Sequence, residues 1–284
     1  MTIETFFHAP TWTLTHLVYD PKTLDAFVVD PVLDFDPAAV GITTETVDAL
    51  VARIEELGLS LHLSLDTHAH ADHMTGSDVL RRRTGARIGV GAPMTAVQSA
   101  LAGLFEVADV LPDGGDFDIL ARDGETLQAG SLSIQAIATP GHTPACTSWR
   151  CGDAVFVGDT LFMPDFGTGR CDFPGGSADT LYDSVQKLYA LPDATRLFVG
   201  HDYQPGGRAL QYVVTVGRSK KLNKHLRTET TRADFVAFRS LRDKELSVPR
   251  LILPSLQVNI RAGKLPEPSP SGRRFLKLPI NLFA

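Results

Sequence analysis

The run Thr67-His68-Ala69-His70-Ala71-Asp72-His73 gathers four side chains of metal-ligand type on one short stretch. Alternation along an extended backbone lets His68 and His70 point the same way. The apolar run Leu61 to Leu65 reads as a short strand before it, and Met74 to Arg83 reads as a helix after it, so the cluster occupies a strand-to-helix loop. Isolated histidines such as His8, His16, His62 and His225 are read as structural or solvent-exposed, because imidazole has many roles besides ligation. Four ligand types packed together have few such explanations.

Three further candidates follow predicted strands. His142 lies in Thr139-Pro140-Gly141-His142-Thr143, Asp159 in Val157-Gly158-Asp159, and His201 in Val199-Gly200-His201-Asp202. Each has a glycine beside it, which permits a sharp turn and a close backbone approach.

Working outward, Thr11 to Tyr19 and Ala26 to Val32 read as a hairpin around Asp20-Pro21-Lys22. Val47, Leu50, Val51, Ile54 and Leu57 recur at helical spacing, with Thr43 or Thr44 as the cap. More strands are predicted at Arg87 to Val90, Ser131 to Ala138, Cys146 to Arg150, Ala154 to Val157 and Arg196 to Val199. Helices are predicted near Pro93 to Leu104, Ala178 to Ala190, Tyr212 to Leu226 and Arg232 to Lys244. This uneven alternation implies a layered α/β architecture. No composition break divides the chain, so residues 1–284 are read as a single domain. A C-terminal extended segment, about 248–284, is expected to pack on it, with Val248 to Ile260 extended and Pro266, Pro268, Pro270 and Pro279 in the tail.

Composition narrows the class. A hydrophobic share of 43% and a charged share of 21% are ordinary for a folded globular chain of 284 residues. A net charge of −6 and a pI near 5.8 argue against a nucleic-acid or anionic-membrane surface and favour a small-molecule substrate. Only Cys146, Cys151 and Cys171 occur, an odd number without a leader-like start, which reads as a reduced, cytoplasmic protein. No apolar run approaches the roughly 20 residues that span a bilayer.

His68, His70, Asp72, His73, His142, Asp159 and His201, in this order, resemble the metal motifs of the metallo-β-lactamase superfamily. The resemblance implies a four-layer αβ/βα sandwich with metal at the sheet edges. Around Asp159, the segment Gly158-Asp159-Thr160-Leu161-Phe162 through Gly169-Arg170-Cys171-Asp172-Phe173 is similar to the persulfide dioxygenases, particularly a bacterial branch often called β-lactamase-like hydrolases. His142-Thr143-Pro144, His201-Asp202-Tyr203 and Val258-Asn259-Ile260-Arg261-Ala262-Gly263 carry the same likeness.

Imidazole and carboxylate ligands leave zinc, iron and manganese open. If all seven groups bind, two Zn(II) ions share Asp159 and activate a bridging hydroxide, the design of a thioester hydrolase of the glyoxalase II type. If only His68, His142 and Asp159 bind, they form a two-histidine, one-carboxylate face suited to one Fe(II) and dioxygen, with His70, Asp72, His73 and His201 orienting the ligands. The persulfide dioxygenase likeness implies the second arrangement, glutathione persulfide or a related persulfide as substrate, and a homodimer. It implies catalytic or supporting roles for Asp72, His73, Arg170 and Tyr203, with Arg170 paired to Asp172. Tyr203 and Lys220 are expected to contact the substrate, Lys220 standing where mitochondrial-type members have an arginine.

Overall fold

The computed structural model describes residues 1–282. Its elements begin with β1 (Thr2–His8), β2 (Thr13–Tyr19), β3 (Asp25–Val29), β4 (Val32–Asp36), β5 (Gly41–Thr43), α1 (Glu45–Glu56), β6 (Ser60–Leu65), β7 (Met74–Thr75) and α2 (Ser77–Thr84). The middle of the chain adds β8 (Arg87–Gly91), α3 (Met94–Phe105), β9 (Ile119–Ala121), β10 (Thr126–Ala129), β11 (Leu132–Ala138), β12 (Thr147–Cys151) and β13 (Ala154–Phe156). Then come α4 (Ala178–Tyr189), β14 (Arg196–Phe198), β15 (Val213–Thr215), α5 (Val216–Leu222), α6 (Arg232–Asp243) and α7 (Ile252–Asn259).

Period-two alternation divides the strand side chains between two interfaces. Val18, Phe27, Leu63 and Leu65 face inward and meet Ile134, Trp149 and Phe156 of the opposing strands. Their neighbours Leu17 and Val28 face outward and meet Val47, Leu50 and Ile54 of α1, and Leu61 joins them because a register shift at Ala26/Phe27 puts it out of phase with Leu63. Two six-stranded sheets result, β1-β2-β3-β6-β8-β9 and β10-β11-β12-β13-β14-β15. On the far face of the second sheet, Leu181, Val185 and Leu188 of α4 cover Val155, Leu197 and Val199. Fully burying each such side chain contributes about 1.5–3 kcal/mol, so the helical layers are held chiefly by these apolar stripes. The order helix, sheet, sheet, helix is the four-layer αβ/βα sandwich expected from the sequence.

Several predicted elements change. β1 is an additional strand, antiparallel to β2 from Thr2↔Tyr19 to His8↔Thr13. Residues 74 and 75 pair with β4 before α2 begins. The predicted helix from Tyr212 opens instead as β15 against β14, and Thr215 caps α5 by accepting a hydrogen bond from the Arg218 amide. The largest correction concerns Val248 to Ile260, which holds the helix α7 rather than an extended segment. Pro254 falls in its first turn, where a missing N–H costs nothing. From Lys264 to Leu282 the chain forms neither helix nor strand, and Phe283 and Ala284, the end of the segment called extended, lie outside the described residues. Among the described residues no helix is long and apolar enough to cross a membrane.

Candidate metal centre

Strand direction delivers the ligands. β11, β12 and β13 are successively antiparallel, and β13 is parallel to β14, so β11, β13 and β14 leave the second sheet at one edge. The loops that follow them carry His142, Asp159 and His201. Across the sandwich, β6 ends at the same rim and delivers His68 to His73. The Leu14 amide donates to the Gly200 carbonyl at 2.8 Å and joins the two sheets beside His201.

All seven predicted residues converge, in two groups whose potential ligand atoms lie within 4.8 Å of one another. One is His68, His142 and Asp159; the other is His70, Asp72, His73 and His201. Asp159 faces both: Oδ2 is 4.0 Å from His68 Nε2 and 3.7 Å from His142 Nε2, while Oδ1 is 3.4 Å from His201 Nε2. His201 Nε2 is also 3.3 Å from Asp72 Oδ2.

Hydrogen bonds on the outer side of the rings leave the inner atoms free. His142 Nδ1 donates to the Arg170 carbonyl at 2.6 Å, and His73 Nδ1 lies 3.2 Å from the Met74 carbonyl. Thr67 Oγ1 holds His68 Nδ1 at 3.0 Å, and Asp30 holds His70 Nε2 at 3.0 Å. His68 Nε2, His70 Nδ1 and His73 Nε2 are thereby buried without a hydrogen-bond partner, as are Asp159 Oδ1 and both ring nitrogens of His201. Buried polar atoms left unsatisfied are costly, and these, spread over the two adjacent groups, fit bound metal.

Electrostatics agree. Burial, reinforced by the neighbouring rings, pushes His68 well below the usual histidine range and His73 down to about 3. Both are therefore neutral, as a ligand must be. Burial also opposes a charge on His70, yet the carboxylates of Asp30, Asp66 and Asp72 outweigh it and lift the ring to about 9. Burial raises Asp159 despite His201 and His142, a cost that a metal charge removes.

The supports of the loop lie elsewhere in the sequence. Asp30, at the end of β3, accepts from the Thr67 amide at 2.7 Å, from Thr67 Oγ1 at 2.9 Å and from His70. Asn259, in α7, reaches back to the loop backbone. Neither carries a role in the sequence reading, although Asp30 follows an apolar strand just as Asp159 does. Gly158 has φ +49°, and a Cβ there would meet Thr67 Oγ1 at 2.4 Å. Glycine is required both for the conformation and for the close approach.

A cavity of about 840 Å³ opens onto His142, Asp159, Asp72 and His73. Trp12, Phe162, Phe166 and Tyr203 form an aromatic wall, and Tyr203 stacks on His201 with centroids 5.7 Å apart. Arg170 lines the cavity, pairs with Asp172 at 2.5 Å and donates to the Ser247 carbonyl at 2.7 Å. Its pairing is as expected, and its backbone carbonyl orients His142. Lys220 is not brought to the site: its ammonium pairs with Asp193 at 2.7 Å, outside the cavity lining. Cys146, Cys151 and Cys171 are buried free thiols, and burial pushes Cys146 up to about 12.

Residues 20–201 match the family model described as the metallo-β-lactamase superfamily. The chain belongs to that superfamily. Among its relatives, a probable metallo-hydrolase of Burkholderia pseudomallei is 47% identical, covering 99% of each chain. The mitochondrial persulfide dioxygenase ETHE1 of Bos taurus is 32% identical over 94% of this chain and 91% of its own. The crystal structure of ETHE1 from Myxococcus xanthus superposes with a TM-score of 0.75 at 32% identity, covering 93% of this chain and 100% of that one. Bacterial β-lactamase hydrolase-like relatives are longer, and the chain spans 64–65% of their length.

Proposed function

We propose that this metallo-β-lactamase superfamily protein is a persulfide dioxygenase that uses one Fe(II) to oxidise the outer sulfur of a low-molecular-weight persulfide such as glutathione persulfide. The observation that carries the reading is the separate grouping of His68, His142 and Asp159, two imidazoles and a carboxylate facing a cavity. An Fe(II) held by these three would offer open positions for a sulfur donor and dioxygen. Overall, persulfide, dioxygen and water give thiol and sulfurous acid, and the outer sulfur loses four electrons to dioxygen.

The protein's own residues supply position and proton handling. Asp72, whose side chain is about a quarter exposed, can take the proton that the persulfide gives up, and His201 Nε2 at 3.3 Å can share it. His70 and His73 keep the loop charge and shape fixed around the triad. Tyr203, Phe162 and Phe166 exclude water from one side of the cavity, and burial with the charges of Asp72 and Asp159 keeps the Tyr203 hydroxyl protonated.

A second reading has its own observation: Asp159 presents one oxygen to each group of ligands, which suits two Zn(II) ions and a hydrolase. Oxygen uptake with glutathione persulfide, set against anaerobic cleavage of S-lactoylglutathione by the same preparation, decides between them. Sulfite release with oxygen consumption supports the dioxygenase; brisk anaerobic thioester cleavage without oxygen uptake overturns it.

A further inference from the structure

Asp30 and Asn259 hold the histidine run, and Thr67 packs against the Asp159 turn. The His142 turn is held from another direction, by α4. Ser177, Leu181, Ser184 and Lys187 follow one another at helical intervals of four, three and three, so they form one stripe of that helix. The stripe lies along residues 138–141. The Lys187 ammonium donates to the Ala138 carbonyl at 3.2 Å, the Ser184 hydroxyl to the Pro140 carbonyl at 2.5 Å, and the Ser177 amide to the Gly141 carbonyl at 2.8 Å. Gly141, with φ +138°, lies flat on the helix, and a Cβ there would meet the Leu181 Cα at 2.4 Å. At the outer end Asp123 accepts from the Ala138 amide and from Lys187, each at 2.8 Å.

A serine hydroxyl inside a helix commonly turns to solvent or bonds back to the carbonyl one turn earlier. Ser184, 4% exposed, instead crosses to a residue 44 positions away, two before His142. The Arg170 carbonyl already restrains the imidazole through Nδ1, so the freedom left to the ring is that of its backbone, which α4 removes. Val185 and Leu188 anchor α4 in the core, and the turn inherits the rigidity of a packed helix.

We propose that α4 aims His142, with Ser184 as the positioning residue: its hydroxyl fixes where the imidazole stands relative to His68 and Asp159, and so how tightly the site holds its metal. His142 belongs to the ligand set of the one-iron and the two-zinc arrangement alike, so this role does not depend on which reaction the site performs.

Cobalt(II), whose visible absorption reports both affinity and ligand geometry, is the probe for the full-length chain. Ser184→Thr and Ser184→Val have nearly the same shape and differ in the hydroxyl. Ser184→Val should bind Co(II) about tenfold or more weakly than Ser184→Thr, with altered visible bands, the scale expected when a group that orients a ligand is lost. If Ser184→Val does not fold, the same comparison is made between Ser184→Ala and wild type. A cavity of about 300 Å³ opens beside Ser184 and Pro140, so water can take the hydroxyl's place in the alanine variant and preserve the fold without preserving the aim. Arg232→Ala removes the pairs that join α6 to Asp179 and Asp183 of α4 but leaves the stripe intact, and should keep wild-type Co(II) affinity. Melting temperatures in chelator measure the fold apart from the metal. Equal Co(II) affinity and spectra in the Thr and Val variants would overturn the role. So would a loss of affinity in Arg232→Ala as large as in Ser184→Val, which would make it a matter of general stability. Weakened Co(II) binding by Ser184→Val, with no oxygen uptake by the iron-loaded wild type, would keep the role of Ser184 and remove the dioxygenase reading.

Discussion

The Asn259 side-chain amide donates to the His70 carbonyl at 2.7 Å and to the His73 carbonyl at 2.8 Å, while its own oxygen accepts from the Thr75 amide at 2.8 Å. One side chain of α7 thus satisfies three backbone groups of the metal loop, 184 to 189 positions away in the sequence. Asn259→Leu removes all three bonds in a site 3% exposed. Each buried group left unsatisfied costs about 1–3 kcal/mol, so the variant should lose several degrees of melting temperature and much of its metal. Calorimetry and elemental analysis check this; unchanged values for both would show the clamp to be dispensable.

Asp159 and His70 separate the two metal arrangements. Asp159→Ala removes the carboxylate that completes one ligand group and faces His201 of the other, and should abolish metal binding and activity. In the mononuclear arrangement, His70→Ala should retain part of the iron, with affinity or activity lowered about 10 to 100-fold. Equal loss of metal from both variants would make His70 a direct ligand. Two metals per wild-type chain, with activity kept after iron removal, would favour the hydrolase.

Gly158→Ala tests the close approach behind Asp159. A methyl group would enter at 2.4 Å from Thr67 Oγ1 on a backbone with positive φ, displacing the residue that joins Asp30 to His68. Metal affinity should fall although no ligand is changed. Full metal occupancy at wild-type affinity would contradict this.

Acid should destabilise the protein through His16. Its ring is buried, which lowers it to about 4 against an ordinary value of 6.5, even though Nε2 bonds the Val199 carbonyl. The unfolded chain therefore binds a proton at a pH where the folded chain does not. This contribution is fully present above about pH 6.5 and is lost as the pH falls towards 4, in all about 3 kcal/mol. Denaturant titrations of wild type and His16→Asn at several pH values should give curves that converge in acid. A constant difference across that range would refute the assignment.

The metal residues were legible because ligand types concentrated on one loop and recurred after strands beside glycines, a local signal. Asp30 escaped because its role depends on β3 lying parallel to β6, with Val29 opposite Leu65, which brings two strand ends together. α7 was misread because two prolines and a run of branched side chains look extended, whereas Pro254 occupies a first turn that tolerates it. β1 escaped because every residue in it is half-buried, as befits an edge strand. Lys220 was misplaced because a helical lysine does not reveal its partner, and Asp193 on a distant loop captures it.

The reach of Asn259 back to residues 70, 73 and 75 also orders events in time. A nascent chain on the ribosome displays the histidine run long before α7 exists, and all seven residues of the candidate metal centre are synthesised before their clamp. Until residue 259 emerges and α7 docks, the loop carbonyls face water and the imidazoles lack a fixed geometry, so any ion caught early is held by a floppy chelate. Firm loading of a metal at this site would thus follow translation, and its identity would be set by what the compartment offers once the C-terminal helix has closed over the loop.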